Sequence, residues 1–136
     1  MSTKIFVNLP VKDLEVSKNF FTKIGYSINP RFSDDHAASV VISDTIYVML
    51  LTEPRFKDFT KKDIADASRT TEAILCLSAE SREKVDELAD AALASGGSAA
   101  GDPQDHGFMY GRSFQDPDHH IWEVVWMDPA AVEGQG

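Results

Sequence analysis

The chain has 136 residues, a net charge of -9, 43% hydrophobic and 26% charged residues, which is the balance of one soluble globular domain. The acidic surplus argues against nucleic acid, because phosphate contacts need clustered Lys and Arg. No run of about 18 apolar residues occurs, so no membrane span is expected. The N-terminal MSTKIFVNLP lacks a signal-peptide pattern, and a cytoplasmic location is expected. Cys76 is the single cysteine, so no internal disulfide is possible; within Ala73-Ile-Leu-Cys-Leu77 it reads as a buried structural thiol.

Ile5 to Leu9 reads as a strand. Asp13 is placed to cap a helix over Leu14–Ile24, with Val16, Phe20, Phe21 and Ile24 on its apolar face and Gly25 as its stop. Tyr26–Asn29 is a short strand ended by Pro30. Ala38–Ile42 and Thr45–Leu51 are two more strands, joined at Ser43-Asp44. Residues 53–70 are polar, with Pro54, Phe56 and Phe59, and read as a connector with a short helical turn.

The pattern then restarts. Glu72–Leu77 reads as a strand, Ser78 or Ser81 as a cap, and Val85, Leu88, Ala89, Ala92 and Leu93 as the stripe of a second helix ended by Gly96-Gly97. A short strand near Ser98–Ala100 follows. Ile5-Phe-Val-Asn-Leu9 aligns with Ala73-Ile-Leu-Cys-Leu77 at a spacing of 68, half the chain. The chain is thus α+β: two βαβββ repeats over about 4–52 and 71–127, with a tail from 128 that is expected to fray. Four-stranded sheets paired around an open, barrel-like cavity, with the helices outside, would bury both stripes.

The densest chemistry lies between Asp105 and Asp128. Tyr110–Gln115 and Ile121–Trp126 flank the turn Asp116-Pro117-Asp118, a hairpin signal. Period two sets Ile121, Glu123 and Val125 on one face and Trp122, Val124 and Trp126 on the other. Glu123 is a carboxylate amid apolar residues and must reach water, pair or bind a cation. Metal ligand, general base and partner of Arg112 are the roles open to it. Tyr110, Arg112 and Phe114 are candidate ligand-binding residues; Tyr110 and Arg112 share a face, and Arg112 could orient an anionic group. His36, His119 and His120 read as surface or loop residues, and His106 lies in the loop entering the hairpin.

Duplicated strand–helix–three-strand units, with Val11-Lys-Asp-Leu14 opening a helix and Asp116-Pro-Asp118 five residues before Glu123, resemble the vicinal oxygen chelate superfamily. That group includes glyoxalase I, extradiol dioxygenases and bleomycin resistance proteins. The resemblance spans about residues 4 to 127. It implies a divalent metal (Fe, Mn, Ni, Zn or Mg) held inside the shell by His, Glu or Gln from the first and last strands of each repeat. Glu123 matches the family's ligand glutamate, and Glu72 stands near a second ligand position. Phe6 or Val7, with Asn8 close by, and Val48 or Met49 occupy the other two.

Two functions follow from the resemblance. One is a lyase, isomerase or dioxygenase acting on a small oxygen-rich molecule, with Glu123 and Glu72 as metal ligands or catalytic groups. The other is a metal-free protein that binds a small drug-like or aromatic molecule, using Asn8, Met49, Tyr110, Arg112 and Phe114. The expected partners are a small-molecule ligand and a second copy in a homodimer, with no membrane or nucleic acid.

Overall fold

The computed structural model describes residues 2–133. It divides into two compact units, one ending at Thr70 and the other beginning at Thr71. No helix among the described residues is long and apolar enough to cross a membrane.

The first unit is built from strand β1 (Ile5–Val11), helix α1 (Leu14–Lys23), β2 (Ser27–Asn29), a 3-10 turn at Pro30–Phe32, β3 (Ala37–Val41), β4 (Ile46–Thr52) and a one-turn helix α2 (Glu53–Phe56). The sheet order is β1-β4-β3-β2, with β1 parallel to β4 and the other pairs antiparallel. Asp13 caps α1 by accepting from the Val16 amide at 3.2 Å. The buried face of α1 carries Leu14, Ser17, Phe20 and Phe21, with Ile24 just beyond. Val16, expected on that face, is instead exposed, and Ser17 takes the inward position. Gly25 stops the helix at φ +115°, a conformation that costs a side-chain-bearing residue about 1–2 kcal/mol. The helix lies on the sheet face made by Val48, Leu50, Val40 and Ala38, all buried.

The second unit runs β5 (Ile74–Ser78), α3 (Arg82–Ala94), β6 (Ser98–Ala99), β7 (Gln104–Asp105), β8 (Met109–Gln115), β9 (Ile121–Met127) and α4 (Pro129–Glu133). The order is β5-β9-β8-β6, with β7 also on β8, so this sheet has five strands rather than four. Ser81, not Ser78, caps α3, accepting from the Lys84 amide at 3.1 Å. Val85, Ala89 and Val124 form the buried centre, with Leu88, Tyr110 and Trp126 packed around it. Leu93, at the end of the expected stripe, is exposed. The tail begins as α4, with the Ala131 amide bonded to the Asp128 carbonyl at 3.1 Å, where fraying was expected. Gly134 to Gly136 of that tail lie outside the described residues. Neither sheet closes on itself: each remains an open array with β1 and β2, or β5 and β6, at its ends.

The hairpin turn between β8 and β9 is fixed by one carboxylate. Asp116 is 3% exposed, and its Oδ1 accepts from the amides of Asp118 (2.9 Å) and His120 (3.0 Å), while Oδ2 accepts from the Trp122 indole at 3.0 Å. His119 completes the turn at φ +69° with its side chain exposed. The first aspartate of Asp116-Pro-Asp118 is therefore a structural acceptor that locks β9 and Trp122 in register.

Candidate functional site

The ladder registers show which side chains share a face. In the second sheet Glu123 opposes Ser113 of β8 and Cys76 of β5. In the first, Met49 opposes Ser39 of β3 and Asn8 of β1. Cys76 and Asn8 are 68 positions apart, the spacing of the repeat, so these rows correspond. Met49 stands in the first half where Glu123 stands in the second. The row two residues toward the start pairs Phe6 with Tyr47 and Ile74 with Ile121.

Glu72, expected beside Glu123 as a second ligand or catalytic group, is displaced by this register. The strand begins at Ile74, and Glu72 lies exposed in the segment before it. Since Cys76 is the β5 partner of Glu123, Glu72 is four residues away along the strand direction, roughly 13 Å at 3.3 Å per residue. The structure does not bring the two carboxylates together on the ladder.

The other hairpin candidates face the helix. Phe114 is 1% exposed and belongs to the core, not to a ligand-accessible surface. The Tyr110 hydroxyl donates to Asp86 of α3 at 2.6 Å. Arg112 opposes Val124, not Glu123, and its Nη1 donates to Asp86 at 3.1 Å and Asp90 at 2.8 Å. Asp86 is held below its usual carboxylate range, first by the Tyr110 hydrogen bond and then by Arg112. Beside this network Arg82 makes a two-pronged bridge to Asp105 (2.9 Å to each oxygen), donates to the Gly107 carbonyl, and lies over the rings of Tyr110 (5.1 Å) and Trp126 (5.2 Å). Tyr110 and Arg112 thus clamp the hairpin to α3. Sequence reasoning missed Asp86, Asp90 and Arg82, although they fall at i, i+4 and i, i+8 on one helix face.

What remains on the opposite face is a small cavity of about 70 Å³ lined by Asp102, Gln104, Met109, Gly111, Arg112, Ser113, Glu123 and Val125. Glu123 is half-buried there. Cys76, expected to be buried, is exposed on the edge strand. Partial burial, then the Glu123 charge, push its thiol pKa up, which disfavours the thiolate needed of a nucleophile or metal ligand. In the first sheet Asn8 is exposed and its amide donates to the Phe6 carbonyl at 3.3 Å. Met49 is half-buried, and Phe6 stacks on Tyr47 with centroids 5.0 Å apart and planes 11° from parallel.

Of the positions that the resemblance implies for a divalent metal, Glu123 alone carries a carboxylate. On the ladder Glu123 is flanked by the Cys76 thiol and the Ser113 hydroxyl, its counterpart in the first half is a thioether, and the first strands offer Phe6 and Ile74. Among the described residues, no group of three or more His, Cys, Asp or Glu is placed to hold an ion.

Known proteins place the fold. The sequence pattern of the Glyoxalase/Bleomycin resistance protein/Dioxygenase superfamily matches residues 5–124. A comparison with curated proteins finds no match. Among solved structures, hypothetical protein SA1046 from S. aureus is 25% identical with a TM-score of 0.78, over 93% of this chain and 94% of that one. A glyoxalase/bleomycin resistance protein/dioxygenase domain from Frankia sp. EAN1pec is also 25% identical (TM-score 0.68; 93% and 98% covered). A family enzyme from Burkholderia phytofirmans PsJN superposes at a TM-score of 0.78 with 13% identity (93% and 99% covered), a likeness of fold alone. With the matched pattern covering both repeats and the DPD-to-Glu123 hairpin, the chain belongs to the glyoxalase/bleomycin resistance protein/dioxygenase superfamily.

Proposed function

We propose that the chain is a metal-free small-molecule binding protein of the bleomycin-resistance kind, with Glu123 as the carboxylate that meets the ligand. The observation that carries this reading is the row around Glu123. A carboxylate between Cys76 and Ser113, lining a cavity with Asp102 and Gln104, is a hydrogen-bonding and charge-recognition group, and no third His, Cys, Asp or Glu among the described residues joins it as an ion site. A metal-assisted lyase, isomerase or dioxygenase needs further oxygen or nitrogen donors, and the corresponding positions hold Phe6, Met49 and Ile74. The side of the sheet carrying Glu123 also offers Met109, Val125 and Ile121 as apolar surface for the body of a ligand.

A thermal-shift screen of small organic compounds in chelator, run on the parent protein and on Glu123→Gln, tests the proposal. At a hundredfold excess over Kd a ligand adds about 2.7 kcal/mol to the parent. The expected result is at least one compound that stabilises the parent and not the variant. Silence for organic compounds, with stabilisation of the parent by Fe, Mn, Ni or Zn in chelator-free buffer that Glu123→Gln abolishes, overturns it. Edge strands β1 and β5 expose Ile5, Phe6 and Ile74, which supports the further proposal of a homodimer, to be checked by light scattering.

A further inference from the structure

The cavity beside Glu123 has a local origin. Strand β6 pairs with β8 at Phe114 and Gln115, and β7 pairs with it at Tyr110 and Gly111. Between them residues 100–103 make no ladder pairing with β8 among the described residues, so the edge next to Arg112 and Ser113 is left open. The first unit has no equivalent of this interruption: β2 ends its sheet as a single three-residue strand. Asp102, within the break, and Gln104, just after it, share the cavity lining with Glu123.

Gly111 is one of the lining residues, and a Cβ there would stand 3.1 Å from Val125 Cγ2, so a side chain would press on another part of the same lining. At about 70 Å³ the cavity is far smaller than the roughly 300–1,000 Å³ of a site that encloses a drug-sized molecule. It fits a head group, with the rest of the ligand lying over Met109 and Val125 on the open sheet face.

The lining fixes the sign of that head group. Asp102 and Glu123 contribute carboxylates, Gln104 an amide and Ser113 a hydroxyl. The one cationic residue of the lining, Arg112, has its guanidinium on the helix side, bridged by Asp86 and Asp90. No positive side chain is left to receive an anion, and an anionic head group would face two like charges.

Building on the binding reading above, we infer that this cavity is a head-group subsite for organic cations, taking an ammonium or guanidinium group between Glu123 and Asp102. Asp102 is then a specificity-determining residue and discriminates amines from neutral molecules of the same shape.

A backbone-amide NMR titration of the full chain with n-hexylamine, and separately with hexan-1-ol, tests this. Hexylamine is expected to shift Gln104, Gly111, Ser113, Glu123 and Val125 saturably, while hexanol at the same concentration leaves them in place. Asp102→Asn should weaken hexylamine by about tenfold, the loss of one favourable charge contact. Glu123→Gln should abolish saturable binding; a dispersed parent-like spectrum certifies that the variant is folded. Equal binding of hexanol at these residues overturns the cation selectivity and leaves the small-molecule reading intact. Hexylamine shifts that scatter over the acidic surface without saturating overturn the subsite. Undiminished binding by Asp102→Asn overturns the role of that residue. No shift from either molecule, together with a screen in which Glu123→Gln behaves as the parent, overturns both the subsite and the binding reading.

Discussion

The two faces of the second sheet differ in how their polar groups are satisfied. The face toward α3 carries Trp122, Val124 and Phe114, each at most 2% exposed, and satisfies its polar groups internally: Tyr110 and Arg112 with Asp86 and Asp90, and the Trp122 indole with Asp116. The other face carries Glu123, Ser113 and Cys76 beside a cavity, with exposed Ile74 and Met127 at its ends. Successive residues of β9 therefore do opposite work. One face is closed by its own partners, and the other is the face proposed to meet a ligand.

Substitutions should separate the faces. Trp122→Ala removes a large, fully buried side chain and the indole donor to Asp116 Oδ2, and should cost about 3–5 kcal/mol in urea unfolding. Asp116→Ala leaves three donors without their acceptor and should cost about 3 kcal/mol, at one to three per unsatisfied buried group with partial rescue by water. Glu123→Gln, one position from Trp122, should change stability by less than about 0.5 kcal/mol while removing ligand binding. A loss of several kcal/mol there would make Glu123 a structural residue and erase the distinction between the faces.

Acid should act on the clamp face first. Arg82, by hydrogen bonding, and then the Gly107 amide hold Asp105 far below its usual range, and the Tyr110 hydroxyl does the same more mildly for Asp86. Their folded pKa values lie below the unfolded carboxylate value of about 3.9. The stability they contribute is complete above that value and is lost as pH falls through their folded pKa values. Acid unfolding curves below about pH 4 should accordingly be shallower for Asp105→Asn than for the parent. The smallest effect concerns the turn: His119→Gly relieves a positive φ and should stabilise by about 0.5–1 kcal/mol in the same unfolding assay.

The division between faces was half visible in the chain. Period two assigned Trp122 and Glu123 to opposite sides correctly, because alternation is a property of any strand. It could not say what lay over each side. Arg112 and Tyr110 were read as ligand groups because their partners sit more than twenty residues away on α3, and only packing reveals which helix face meets which strand. Glu72 failed for a different reason. The strand starts two residues later than its composition suggests, and register turns a small boundary error into a residue on the wrong row. The cavity was invisible because it lies beside a broken edge strand, which has no periodic signature.

The central claim is that Glu123 serves an organic ligand and not a metal ion. Calorimetric titration of chelator-treated protein with Fe, Mn, Ni, Zn and Mg in turn tests it most directly. The account predicts no saturable heat that differs between the parent and Glu123→Gln. One equivalent of any of these ions bound by the parent and lost in Glu123→Gln would contradict it.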